Sequence, residues 1–197
     1  MDEFTLIEKY FKILTYNNPA ALDLNDDVFF DKKCNVVVSM DTYVEGVHFL
    51  NFRKPDLVIK KIVRSSISDL YCKGVKPKFI FIGASGNNIS FSKKNLTLIY
   101  ESLKQEQKKY KFKLSGGDTT KSNKTVFTIT CLGYSKKIVQ RNKCKNDDDI
   151  YVTGNLGDSY LGLLLLRKKL FLKNTEQRKY LFENIICQIY QQKLVQN

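Results

Sequence analysis

Apolar positions change their period several times along this chain. Phe4, Ile7, Phe11 and Leu14 recur every three or four residues, which predicts an amphipathic opening helix over residues 4–14. The polar turn Asn17-Asn18-Pro19 ends it. The period then shortens. Val28-Phe29-Phe30 and Val36-Val37-Val38 are β-branched and aromatic runs, and they predict two strands joined by a turn at Asp31-Lys32-Lys33. Pro55 at an N1-like position and Gly74 at a C′-like position bracket a second helix. Residues 78–84 read as a strand, and Ser90 caps a helix to about Tyr110 whose face includes Leu96, Ile99 and Leu103. A short strand at 112–115 leads into the turn-like Gly116-Gly117-Asp118-Thr119-Thr120. Residues 125–133 alternate and form the strongest strand signal. Another short strand is predicted at 150–153. Helices follow after Gly157-Asp158-Ser159 and from about Asn174 to the C-terminus.

Strands outnumber crossovers in this order, so the expected fold is α+β, a layered mixed sheet with flanking helices. The 197 residues suffice for one sizeable domain, or one domain and a fragment. A hydrophobic fraction of 43% with 27% charged residues is globular composition and argues against disorder. The formal charge of +13 comes mostly from scattered lysines. There is no Arg-rich arm, zinc finger or aromatic RNA-binding signature, so a solvated lysine-rich surface is expected rather than a nucleic-acid partner. Five cysteines without a CxxC pair fit reduced thiols in the cytoplasm. The acidic start MDEF is unlike a signal peptide, and the apolar run at residues 161–166 is too short to span a bilayer, so no membrane association is expected.

Acidic residues are the minority charge, which makes their placement informative. Asp26-Asp27, Asp41, Asp69 and Asp118 each stand where a predicted strand or helix ends or turns, except Asp69, which lies inside a helix. Any one of them alone is more simply a cap or turn residue. Brought together, they would repel unless a cation joined them, and Mg²⁺ prefers such hard oxygen ligands. An inward Asp69 must be paired or bound to a cation, and an outward one is merely solvated. The Gly116-Gly117-Asp118 segment lacks Walker A spacing, though glycines there would let backbone approach a phosphate. His48 is the only histidine, which excludes a histidine-based zinc site, and its default role is structural. Arg141 carries a fork suited to phosphate, against a default surface role.

The segments LNDDVFF, VVVSMDTYVEGVHF, SSISDLYCKGVKP, LSGGDTT and VQRNKCKNDDDIYVTGNLGDSYLGL occur in the order and approximate spacing of bacterial thiamine-monophosphate kinases. The chain resembles that family, part of the aminoimidazole-ribonucleotide-synthetase-like superfamily, from residue 2 to about 170. The resemblance implies transfer of the ATP γ-phosphoryl group to thiamine phosphate, several Mg²⁺ ions, and a homodimer whose strands share a barrel. It places Asp27, Ser39, Met40, Asp41, Asp69 and Asp118 on metal-binding positions, with Asp26 the first carboxylate of its pair. It places His48 on a substrate contact, and Tyr100, Gly117, Asp118 and Arg141 on ATP contacts. Phosphoryl transfer between two anions needs charge neutralisation and alignment more than a nucleophilic side chain, so no acid, base or nucleophile is assigned.

Two positions depart from the family pattern. Asn25 stands where glycine is usual, and an asparagine tolerates the left-handed backbone such a turn needs. Met40 stands where threonine is usual, which leaves only its backbone carbonyl as a hard ligand. The family's second domain, with its Asp-Ile-Ser-Asp-Gly segment, has no counterpart here. Residues 1–155 are therefore expected to be an ATP- and magnesium-binding domain, and 156–197 the helical start of a truncated second one, so that the chain alone lacks the thiamine pocket. Rival readings are a related synthetase that makes aminoimidazole ribonucleotide or selenophosphate, a non-catalytic dimer-forming or Mg-ATP-binding fragment, and a basic nucleic-acid binder.

Overall fold

The structure, a computed structural model, describes residues 1–152 and 155–187. Five strands make one sheet: β1 (Phe29–Asp31), β2 (Val36–Val44), β3 (Pro77–Gly86), β4 (Lys113–Lys121) and β5 (Val126–Tyr134). Their spatial order is β1-β2-β5-β3-β4. Every neighbouring pair is antiparallel except β3 and β4. Those two are parallel because α3 (Lys93–Tyr110) carries the chain back between them. The fold is thus the expected α+β mixed sheet with flanking helices.

Helix α2 (Pro55–Cys72) supplies the second layer. Val58, Ile59, Ile62, Val63, Ile67 and Leu70 recur at helical spacing and are all buried. They join Val37, Ile80, Phe127, Ile129 and Cys131 from the sheet in one core. Each such aliphatic side chain contributes about 1.5–3 kcal/mol on burial. The helix ends as the proline–glycine asymmetry predicts. Gly74 adopts φ +75°, while Gly74 N–H bonds the Tyr71 carbonyl and Val75 N–H bonds the Leu70 carbonyl, both at 2.9 Å. Helix α3 packs on α2, pinned by Ser102 Oγ donating to the Asp56 carbonyl at 2.8 Å. A pair formed by α4 (Asp158–Leu166) and α5 (Thr175–Cys187) also meets α2, through α5. The sheet face turned away from α2 exposes Phe29, Met40, Phe81 and Tyr134.

The structure corrects several sequence expectations. The opening helix is not one uniform amphipathic element. α1 (Glu3–Leu6) loosens into a π turn at Ile7–Phe11 and tightens into a 3₁₀ turn at Lys12–Thr15. Changing pitch spreads a stripe that requires constant rotation per residue, and Phe4, Phe11 and Leu14 are exposed. Helix α3 starts at Lys93 after Ser92 rather than at Ser90. Ser90 is instead held by Asn87, whose Oδ1 accepts its N–H at 2.9 Å, and by the Thr125 hydroxyl at 2.8 Å. Leu96 is exposed, whereas Ile99 and Leu103 pack on the core. Asn25 lies at φ −100°, ψ 6°; the left-handed residues come just before it, at Leu22, Asp23 and Leu24.

The Gly-Gly-Asp segment is not a turn either. β4 runs straight through it, with Gly116, Gly117 and Asp118 opposite Phe81, Ile82 and Gly83. A Cβ at Gly117 would collide with the Ile82 carbonyl oxygen, so glycine is what lets the two strands close. Residues 150–152 form no strand, and Thr153 lies outside the described residues. The expected continuation of α5 beyond Cys187 also lies outside them.

Candidate functional site

Four of the sequence-predicted aspartates come together at the C-terminal end of α2. Asp69 sits one turn before that end, half-buried. Asp41 projects from β2 on the face turned toward α2, because it alternates with buried Ser39 and Tyr43. The Tyr43 hydroxyl donates to Asp41 Oδ2 at 3.0 Å and lies 2.9 Å from Ser66 Oγ on α2. Asp26 and Asp27 approach from the loop before β1. Two cations complete the group. Lys73 Nζ, at the α2 C-cap, is 2.5 Å from Asp26 Oδ1 and 3.4 Å from Asp27 Oδ2. Arg141, from the segment after β5, ion-pairs with Asp27, and its backbone N–H donates to Asp26 Oδ2 at 3.2 Å.

The electrostatics are unbalanced. Burial opposes ionisation of Asp26, but hydrogen bonds from Lys73 and from the Arg141 and Asp27 amides outweigh it, so its carboxyl titrates below the ordinary range. Asp69 goes the other way. Burial, and then the negative charges of Asp41 and Asp27, push it up to about 7 against the partial relief of Lys73 and Arg141. Burial also raises the thiols of Cys131 and Cys72, with Asp69 adding to both shifts. Burial holds the Tyr43 phenol protonated, which suits a donor to Asp41. Hard carboxylate oxygens with surplus negative charge fit a hard divalent cation in chemistry. In arrangement the fit is partial: among the described residues no three His, Cys, Asp or Glu side chains converge into a metal-holding group.

The other predicted residues stand apart. Ser39 is buried, its Oγ facing the Ser66 carbonyl at 3.5 Å, and Met40 turns its thioether to the open sheet face. Asp118 accepts the N–H of its own neighbour Thr119 at 2.8 Å on the exposed edge strand β4. The ladder registers join these regions: Asp41 faces Ile129, Ile129 faces Ile82, and Ile82 faces Gly117. Three strand spacings put Asp41 and Gly117 roughly 14 Å apart. Tyr100 is exposed on α3 with the Lys104 ammonium 5.6 Å from its ring.

His48 lies in the loop after β2. Its Nδ1 accepts the Val44 N–H at 3.0 Å and its carbonyl accepts Lys61 Nζ at 2.8 Å. Accepting at Nδ1 leaves the proton on Nε2 when the ring is neutral. It lines a cavity of about 430 Å³ with Arg53, Lys54, Lys61 and Arg167. Burial lowers the Lys61 pKa.

Sequence reasoning missed Lys73 and Tyr43. Lys73 follows Asp69 at the i, i+4 spacing that puts side chains on one helix face, and Tyr43 follows Asp41 at the i, i+2 spacing of one strand face. The second signal pointed to the observed contact; the first put Lys73 near Asp69 but not onto Asp26, with which it pairs.

Known proteins share this architecture. Residues 17–135 match the family described as AIR synthase related protein, N-terminal domain, and the chain belongs to that family. Within it, the chain is similar to thiamine-monophosphate kinases. It is 36% identical over 190 residues to that of Buchnera aphidicola subsp. Acyrthosiphon pisum, covering 92% of this chain and 57% of the relative. It is 34% identical over 169 residues to that of Haemophilus influenzae, covering 83% and 51%. A structure described as AaThiL complexed with AMPPCP and TMP superposes with TM-score 0.80 at 25% identity, over 93% of this chain and 58% of that one. The crystal structure of thiamine monophosphate kinase from Aquifex aeolicus shares the fold at 24% identity and TM-score 0.77, over 94% of this chain and 64% of that one. The chain spans about half the length of the curated relatives it matches.

Proposed function

We propose that this chain is the magnesium- and nucleotide-binding part of a thiamine-phosphate kinase, which moves the γ-phosphoryl group of ATP onto the phosphate of thiamine phosphate. The observation that carries this reading is the grouping of Asp69 with Asp41 and Asp27 at the C-terminal end of α2, where burial and then those two charges raise its carboxyl to about 7. In this reading Asp27, Asp41 and Asp69 offer side-chain oxygens to magnesium, Asp118 offers another, and Ser39 and Met40 contribute from β2. When bound, magnesium neutralises phosphate charge and holds donor and acceptor in line. Gly117 offers its backbone on β4 to a phosphate, Arg141 and Tyr100 reach the nucleotide, and His48 contacts the acceptor. Similarity to a protein complexed with AMPPCP and TMP supports the pairing of nucleotide and thiamine phosphate.

The rest of the reading follows the family. The protein works in the cytoplasm; among the described residues no helix is long and apolar enough to cross a membrane. It is a homodimer through the open sheet face, supported by the exposure of Phe29, Met40, Phe81 and Tyr134 there. Residues 1–155 form the nucleotide-binding domain and 156–197 begin the next.

Calorimetric titration with magnesium and a non-hydrolysable ATP analogue tests the site. Asp69→Asn and Asp118→Asn weaken binding by about tenfold or more, roughly 1.4 kcal/mol or above, while Lys94→Asn on the solvated face of α3 leaves it unchanged. Equal behaviour of all three variants would sink the carboxylate reading. Turnover of thiamine phosphate is then measured against turnover of the substrates of aminoimidazole ribonucleotide and selenophosphate synthetases.

A further inference from the structure

The two cations beside the aspartates are held in opposite ways. The Arg141 side chain is 56% exposed and meets Asp27, itself 34% exposed, so it can swing into water and release that carboxylate. Lys73 cannot. Its side chain and that of Asp26 are each 5% exposed, with Nζ and Oδ1 2.5 Å apart. Its backbone is fixed as well. Lys73 N–H bonds the Leu70 carbonyl at 3.0 Å inside the motif that ends α2, and its carbonyl accepts the Val139 N–H at 3.2 Å. That second bond ties the segment after β5, which carries Arg141, to the same residue. A buried ammonium with no room to leave takes up the charge of the carboxylate it touches.

We infer that Lys73 is a built-in counter-cation, occupying the position at Asp26 that a divalent ion would otherwise take, so that this chain binds one divalent ion fewer than its carboxylates would allow. The inference rests on the magnesium reading above. Lys73 thereby sets the ion count at Asp26 and Asp27, while Asp41 and Asp69, which it does not touch, stay open to metal. The same ammonium keeps the site folded without metal, because Asp26 is never left buried without a positive partner.

The test counts bound Mn²⁺ by electron paramagnetic resonance, at one fixed pH, on the full chain and on Lys73→Met, Lys73→Gln and Lys73→Arg. Thermal unfolding is followed by circular dichroism with and without Mn²⁺. Lys73→Met binds one Mn²⁺ more than the unaltered chain. Its unfolding midpoint is lower without metal and recovers when Mn²⁺ is added. Lys73→Arg keeps the original count. Lys73→Gln, which keeps a polar donor at this position without the charge, gives the same extra ion should the methionine variant fold poorly. Equal non-zero counts in all four proteins overturn the role of Lys73 and leave the magnesium reading standing. No Mn²⁺ bound by any of them at millimolar concentration overturns both.

Discussion

Helix α2 carries two ionic clusters, and they differ in a way that separates architecture from chemistry. Near its middle, Arg64 meets Glu106 of α3 through two hydrogen bonds of 2.7 Å, with side chains 9% and 2% exposed. One cation answers one carboxylate with matched fork geometry, so the charges cancel where they stand. At its C-terminal end, the two cations Lys73 and Arg141 pair with Asp26 and Asp27 only, and burial, then the charges of Asp41 and Asp27, raise the Asp69 carboxyl to about 7. A balanced buried pair joins two helices. An unbalanced, partly open group has charge left over for a ligand.

Removing one side of the balanced pair gives the largest expected effect. Glu106→Gln leaves the Arg64 charge buried without its carboxylate, costing about 3–5 kcal/mol and lowering the melting temperature by roughly ten degrees. The loss is the same with and without magnesium; rescue by the ion would erase the distinction between the clusters. The next effect is pH-dependent. Asp69 titrates near 7 in the folded chain against an ordinary 3.8, so the folded state holds the extra proton between those values. Stability from this group is present at the acidic end of that window and is lost as pH rises toward 7. Metal-free protein therefore melts lower at about pH 8 than at about pH 5, and Asp69→Asn flattens the slope and raises the midpoint at the higher pH. The depressed carboxyl of Asp26 is ionised in both states across that range and adds no slope. An unchanged slope in the variant would show that Asp69 is not the group that titrates near 7. The smallest effect is Tyr43→Phe. It deletes the hydroxyl joining Asp41 to Ser66 and costs about 0.5–1.5 kcal/mol in unfolding titrations. A larger loss would make the second cluster as architectural as the first.

The central elements were legible because their signals were local. Pro55 and Gly74 bounded α2, and the alternation at residues 125–133 matched β5 within a residue at each end. The errors arose where tertiary contacts overrode local chemistry. Two glycines before an aspartate read as a turn, yet a neighbouring strand needs that space, and no local pattern encodes how closely Ile82 approaches Gly117. The stripe from Phe4 to Leu14 assumed a constant helical pitch that the chain does not keep. Among site residues, motif resemblance selected the aspartates, but nothing in a linear motif says that Lys73 folds back onto Asp26, a residue 47 positions earlier. Asp118 was legible as a motif member while its distance across three strands from Asp41 was not.

The continuous row from Asp41 through Ile129 and Ile82 to Gly117 also sets which mutations this protein tolerates. The separation of its two ends is counted in strands, so exchanging Ile129 or Ile82 for another aliphatic residue changes packing but not the gauge. Deleting a single residue within β2 does the reverse. The strand keeps its composition, but every later side chain changes face, and Asp41 moves to the side where Met40 now stands. Natural variation along this row is accordingly expected as substitution, with insertions and deletions confined to the connections outside it.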